Sequence, residues 1–123
     1  MLARETLVAF VATTDLDRAR DFYEDTLGLA LVERTSFACV FDAGGAPLRA
    51  TLVERVGPAP YTVLGWTVRD VAAAIEALTA RGVAFLRYDG LEQDDLGVWR
   101  SPGGARVAWF RDPDGNVLSV TQP

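Results

Sequence analysis

The sequence contains no histidine and no lysine, and a single cysteine, Cys39. Without histidine the chain lacks the commonest metal ligand and the usual proton-transfer group near neutral pH. Without lysine, covalent catalysis through a Schiff base is excluded. One cysteine forms no intrachain disulfide and no thiolate metal cluster. Long apolar runs are missing too: none approaches the roughly 20 residues of a membrane-spanning helix. The stretch "MLARETLVAF" has no basic segment followed by a long apolar one, so no secretory signal is read there. A cytoplasmic protein with no membrane partner is expected. Positive charge is scarce, with 12 arginines against 17 Asp and Glu and a net charge of −5. That balance repels a phosphate backbone, so no nucleic-acid partner is expected. It favours a cationic ligand, although −5 is also an ordinary solubility charge.

Half of the 123 residues are hydrophobic, enough for the core of one small domain. The chain repeats its own grammar. "DLDRARDFYEDTLGL" starts at Asp15 and "DVAAAIEALTARGV" at Asp70. Each follows a strand-like apolar run and opens on an aspartate able to accept a bond from a free backbone N–H. Each ends near a glycine, Gly28 or Gly82, suited to a left-handed cap. Leu16, Ala19, Phe22, Tyr23 and Leu27 recur at helical spacing, as do Val71, Ala74, Ile75 and Leu78. Three strand candidates follow each helix: 29–34, 37–42 and 48–55, then 84–88, 105–111 and 116–121. "DAGGAP" and "DPDG" supply turns. "VGPAP" separates the halves, giving a module at 1–56, a linker at 57–60 and a module at 61–123. Each half reads β-α-β-β-β, and units this small are expected to bury their apolar faces together.

"D-L-x-R-A-x-x-F-Y-x-x-x-L-G-L" together with "F-x-D-P-D-G-N" resembles the glyoxalase/bleomycin resistance/dioxygenase family, the vicinal oxygen chelate proteins, over nearly the whole chain. The resemblance implies an α+β fold of two tandem βαβββ modules, forming a curled, half-open barrel-like mixed sheet around a pocket. It also implies a homodimer. Metal-dependent members carry a ligand seven residues before each helix-starting aspartate, here Val8 and Val63. A third lies four residues after the glycine of D-P-D-G, here Ser119. The fourth lies on the last strand of the first half, where alternation selects Thr51, give or take two positions. Valine offers no lone pair, and neutral hydroxyls are poor ligands for a divalent ion. No metal and no cofactor are expected, and the family's metal-dependent reactions are not carried over.

Strand alternation nominates the pocket lining: Val8, Phe10, Thr51, Val53, Val63, Tyr88, Trp99, Trp109 and Ser119. Leu64, Trp66 and Val68 turn toward the helix and core. Such an apolar, aromatic lining suits a flat ligand oriented by a few hydroxyls. The loop "DGLEQDDLG" reads as long and mobile enough to cover the pocket mouth. Its acidic residues Asp89, Glu92, Asp94 and Asp95 read as a solvated loop before a cation-attracting rim. Asp112 and Asp114 are explained by turn hydrogen bonds. Cys39, inside "FACVF", reads as a small buried hydrophobe, because no histidine exists to activate it.

Two functions compete. A metal-free small-molecule binding protein would sequester an aromatic or cationic antibiotic-like ligand. A metal-independent isomerase or lyase on a small carbonyl or ring compound would need Tyr88, Glu33 or Glu54 for acid–base work.

Overall fold

Two aspartates start the two helices in the same way. Asp15 is extended, and its carboxylate accepts from the Arg18 backbone N–H at 3.1 Å. Asp70 repeats this with Ala73 at 3.0 Å. Each satisfies one of the N–H groups that a helix start leaves without a partner. The computed structural model describes all residues, Met1–Pro123, as two units, Met1–Gly57 and Pro58–Pro123. The division falls inside "VGPAP".

The first unit contains β1 (Ala9–Thr13), α1 (Leu16–Arg20), β2 (Ala30–Arg34), β3 (Ala38–Ala43) and β4 (Ala46–Leu52). Its sheet order is β1-β4-β3-β2, with β1 and β4 parallel and the remaining pairs antiparallel. Gly44 and Gly45, both at positive φ, make the two-residue β3–β4 hairpin. Leu16, Ala19 and Tyr23 are buried against the face carrying Val11, Leu48, Ala50 and Phe41. The second unit contains β5 (Thr62–Thr67), α2 (Val71–Ala80), β6 (Trp99–Arg100), β7 (Arg106–Arg111) and β8 (Val117–Gln122). Its order, β5-β8-β7-β6, repeats the first unit's pattern, with β5 and β8 parallel. Val71 and Ile75 of α2 are buried, as are Ala108, Phe110, Leu118 and Val120 on β7 and β8. Each unit is thus an unclosed mixed sheet with one helix on one face, an α+β arrangement of β-α-β-β-β type.

The structure corrects three expectations. The first helix is not α-helical to Leu27: α1 ends at Arg20 and continues as a wider π-helical segment, Asp21–Thr26. The Leu27 N–H reaches back five residues, to the Phe22 carbonyl, at 2.9 Å. This accompanies the burial of Tyr23 to 1% exposure, with its ring 5.6 Å from Phe41. The expected strand at 84–88 does not form; only Phe85 bridges to Phe110. The Leu86 N–H still donates to the Trp109 carbonyl at 2.8 Å, but beyond that a side chain takes the place of a strand partner. The Gln93 Oε1 accepts from the Tyr88 N–H, and its Nε2 donates to the carbonyls of Leu86 and Gly97. The first of the three strands after α2 is instead β6, at Trp99–Arg100. Finally, the acidic loop is fastened rather than free. Besides Gln93, Arg87 donates to the carbonyls of Asp94 (2.5 Å) and Asp95 (2.7 Å).

Candidate functional site

Cross-strand register places the candidate residues of the second unit. On β8, Ser119 lies opposite Gly65 of β5 and Trp109 of β7. Trp99 lies opposite Val107, two residues before Trp109. Residues paired in this way share a face, so Ser119, Trp109 and Trp99 lie together on the face opposite α2. The rings converge: Trp109 is 5.4 Å from Tyr88, edge to face at 84°, and 6.0 Å from Trp99, tilted by 34°. All three are half-buried, so each keeps an accessible surface. Ser119 is only 7% exposed. Its Oγ lies where a side chain at position 65 would begin: a Cβ added to Gly65 would stand 2.6 Å from it. Glycine at 65 is what allows the hydroxyl to lie across the neighbouring strand. Val63 is 42% exposed on β5, and Trp66 pairs with Val120 on the helix-facing side.

In the first unit, Val8 immediately precedes β1 and is 40% exposed. Phe10 is 62% exposed, while Val11 and Thr13 beside it are buried toward α1. Phe10 is opposite Arg49, and Ala12 is opposite Thr51. Arg49 is in turn opposite Val40, and Thr51 is opposite Ala38. The face away from α1 therefore carries Phe10, Arg49 and Val40 in one row and Ala12, Thr51 and Ala38 in the next. The Thr51 Oγ1 is buried and has no hydrogen-bond partner. Val53 follows β4, its N–H donating to the Thr13 carbonyl at 2.8 Å. Glu33 lies opposite Val40 and is exposed, as is Glu54 beyond the end of β4.

The repeat identifies a residue that the sequence left unmarked. An offset of 55 relates Asp15 to Asp70, and therefore Phe10 to Gly65. Gly65 is opposite Ser119 and Phe10 is opposite Arg49, so Arg49 is the counterpart of Ser119. Thr51 corresponds in the same way to Thr121. Arg49 lies two residues from Thr51, within the span that alternation left open. The register that picks it out depends on how β4 slides along β1, which no local pattern records.

As a donor set for a divalent ion these positions do not fit. Val8 and Val63 are aliphatic, Ser119 and Thr51 carry neutral hydroxyls, and Arg49 is a cation that would repel the metal. Nowhere do three His, Cys, Asp or Glu side chains converge in a metal-holding group. The acidic turn and loop are occupied by their own backbone. The Asp112 Oδ1 accepts from the N–H groups of Asp114 and Asn116, and its Oδ2 from the Asn116 side chain. The Asp94 Oδ1 accepts from Leu96 and Val98. Cys39 is fully buried, and burial pushes its thiol pKa up against the opposing pull of Arg34 and Arg20. An activated thiolate is disfavoured there.

A cavity of about 760 Å³ also lies in the second unit, between the first turn of α2, the 92–101 loop and Arg106. Trp99 is the one aromatic in its wall; Tyr88, Trp109 and Ser119 take no part. Its charges are mixed, Glu92 and Asp94 with Arg100 and Arg106, and Gln93 and Asp94 are already engaged in holding the loop. The aromatic cluster is the more selective feature.

The chain is 29% identical to the uncharacterized protein YraH of Bacillus subtilis (strain 168), over 86% of this chain and 88% of that one. It is similar to the crystal structure of a glyoxalase/bleomycin resistance protein/dioxygenase superfamily member from Sphaerobacter thermophilus DSM 20745, at 27% identity. All of both chains is covered, with a TM-score of 0.75. A glyoxalase/bleomycin resistance protein/dioxygenase from Alicyclobacillus acidocaldarius shares the fold at 24% identity. There the TM-score is 0.70, over 97% of this chain and 91% of that one. The family model matches residues 6–120, and the chain belongs to the Glyoxalase/Bleomycin resistance protein/Dioxygenase superfamily.

Proposed function

We propose that this protein is a metal-free small-molecule binder that sequesters an aromatic, antibiotic-like ligand on the open face of its second unit. The observation that carries this is the convergence of Tyr88, Trp99 and Trp109 beside Ser119. Three rings at mutual angles offer faces and edges to a planar guest, and one hydroxyl can orient it. The lack of metal donors at Val8, Thr51, Val63 and Ser119 supports binding over the metal-dependent chemistry of the superfamily. Nothing favours turnover, because Glu33 and Glu54 are exposed and lack the burial that would tune a general acid or base. The net charge of −5 supports a small-molecule partner over nucleic acid. No helix is long and apolar enough to cross a membrane. The single free, buried cysteine is consistent with the reducing cytoplasm. A homodimer is part of this reading; sedimentation of the purified chain as a monomer across a wide concentration range would remove it.

Tryptophan emission tests the site. A bound planar antibiotic of the bleomycin type should quench it, equally with and without EDTA. Trp109→Ala should weaken binding about tenfold, the loss of one aromatic partnership. Binding of unchanged strength in that variant, or binding abolished by EDTA, would defeat the proposal.

A further inference from the structure

The first unit carries a cation with nothing to neutralise it. Arg49 is half-buried on the sheet face away from α1, and its side chain makes no ion pair and no hydrogen bond. Its cross-strand neighbours on that face are Phe10 and Val40, both apolar. Glu33, opposite Val40 on the far side of the row, is exposed and also unpaired. Two other arginines of the unit are paired, Arg34 with Asp17 at 2.7 Å and Arg20 beside Asp21 and Glu24, while Arg4 and Arg55 are exposed to water. A guanidinium drawn partly out of water among apolar side chains is disfavoured unless an acceptor reaches it. One pleat further along β4, on the same face, the Thr51 Oγ1 is buried and equally without a partner. The Arg49 guanidinium thus lies on that face without a partner, beside the exposed ring of Phe10 and above a buried, unpartnered hydroxyl.

We infer that the open face of the first unit is a recognition site for a small organic anion, a carboxylate on an aromatic or apolar body. The Arg49 guanidinium holds the carboxylate. The planar fork of arginine matches the two oxygens of a carboxylate. A single arginine in a chain of net charge −5 suits one negative charge better than the two of a phosphate monoester. Phe10 supplies the apolar surface on which the ring of such a ligand rests. This site is built from the first unit alone and rests on no part of the aromatic-cluster proposal.

The probes are benzoate and its neutral isostere benzamide, titrated into the full-length protein and followed by backbone and arginine side-chain NMR. Benzoate should bind at least tenfold more tightly than benzamide. Its shifts should centre on Phe10, Ala12, Arg49 and Thr51, with the Arg49 Nε–H resonance moving in step. Arg49→Gln should reduce benzoate affinity to that of benzamide, and Arg49→Lys should restore part of it, since charge returns without the fork. If the glutamine variant does not fold, the Arg49 Nε–H shift in the unaltered protein decides the matter. Equal affinity for the two probes, no saturable benzoate binding, shifts centred elsewhere, or undiminished binding by Arg49→Gln would each overturn the inference. These outcomes leave tryptophan quenching, the test of the other unit, unaffected.

Discussion

Gly65 and Ser119 are a pair whose energetics can be separated. A Cβ at 65 would stand 2.6 Å from the Ser119 Oγ but 3.4 Å from the Ser119 carbonyl oxygen, so the conflict lies with the hydroxyl. Gly65→Ala should destabilise the protein by about 1–3 kcal/mol, as overpacking does. Ser119→Ala should relieve most of that loss. The double-mutant cycle, read from urea unfolding, should therefore return a coupling of about 1 kcal/mol or more; strict additivity would mean that Ser119 turns away at no cost. Cys39 makes a second prediction. Burial raises its thiol pKa above the ordinary 9.0, so the unfolded chain releases that proton first. Below pH 9 the thiol adds no pH dependence. Above it, stability should fall by about 1 kcal/mol per pH unit until the folded thiol also ionises. In Cys39→Ala that share of the alkaline loss should vanish, measurable as urea midpoints at pH 7 and pH 10. The sequence reads Val8 and Phe10 as sharing one face of the first strand, and Val63 and Gly65 one face of the fifth, because side chains alternate along a strand. Arg49 was not legible, because its partner across the sheet is fixed by the β3–β4 hairpin and by the crossover through α1.

At the scale of elements, the helix starts were the most legible part of the fold. Asp15 and Asp70 each carry their reason locally, in one carboxylate and one nearby N–H. Replacing either by alanine should cost about 1 kcal/mol. The segment 84–88 was illegible for the opposite reason. Its apolar and aromatic residues read as a strand, but beyond one bond to β7 its Tyr88 N–H and Leu86 carbonyl are met by the side chain of Gln93, five to seven residues away. No propensity scale records such a contact. Gln93→Ala should leave the Leu86 and Gly97 carbonyls and the Tyr88 N–H without their partner, at a cost of about 2 kcal/mol or more. Hydrogen exchange at the Tyr88 amide should accelerate with it. Tyr88 also belongs to the aromatic cluster, so the same variant should loosen ligand binding there. A Gln93→Ala protein of unchanged stability and exchange would show that Arg87 and the bonds of Asp94 hold the loop without Gln93.

For the whole molecule, the β-α-β-β-β grammar repeats while the side chains on corresponding rows differ between the units. The row Gly65–Ser119–Trp109 in one unit corresponds to Phe10–Arg49–Val40 in the other. One row joins a hydroxyl to a ring; the other joins a guanidinium to a ring. Neither supplies the imidazoles and carboxylates that a divalent ion selects. The expected consequence is a protein whose stability responds to organic ligands and not to chelation. A ligand present at about 100 times its Kd adds roughly 2.7 kcal/mol to a native state that binds it and an unfolded state that does not. For a chain of this length that should raise the unfolding midpoint by several degrees. Added Zn²⁺, Ni²⁺ or Mn²⁺ should produce no comparable rise, and EDTA should neither lower the midpoint of the purified protein nor diminish a ligand-induced shift. A metal-dependent rise that EDTA reverses would require donors other than Val8, Thr51, Val63, Ser119 and Arg49, and would overturn the metal-free reading.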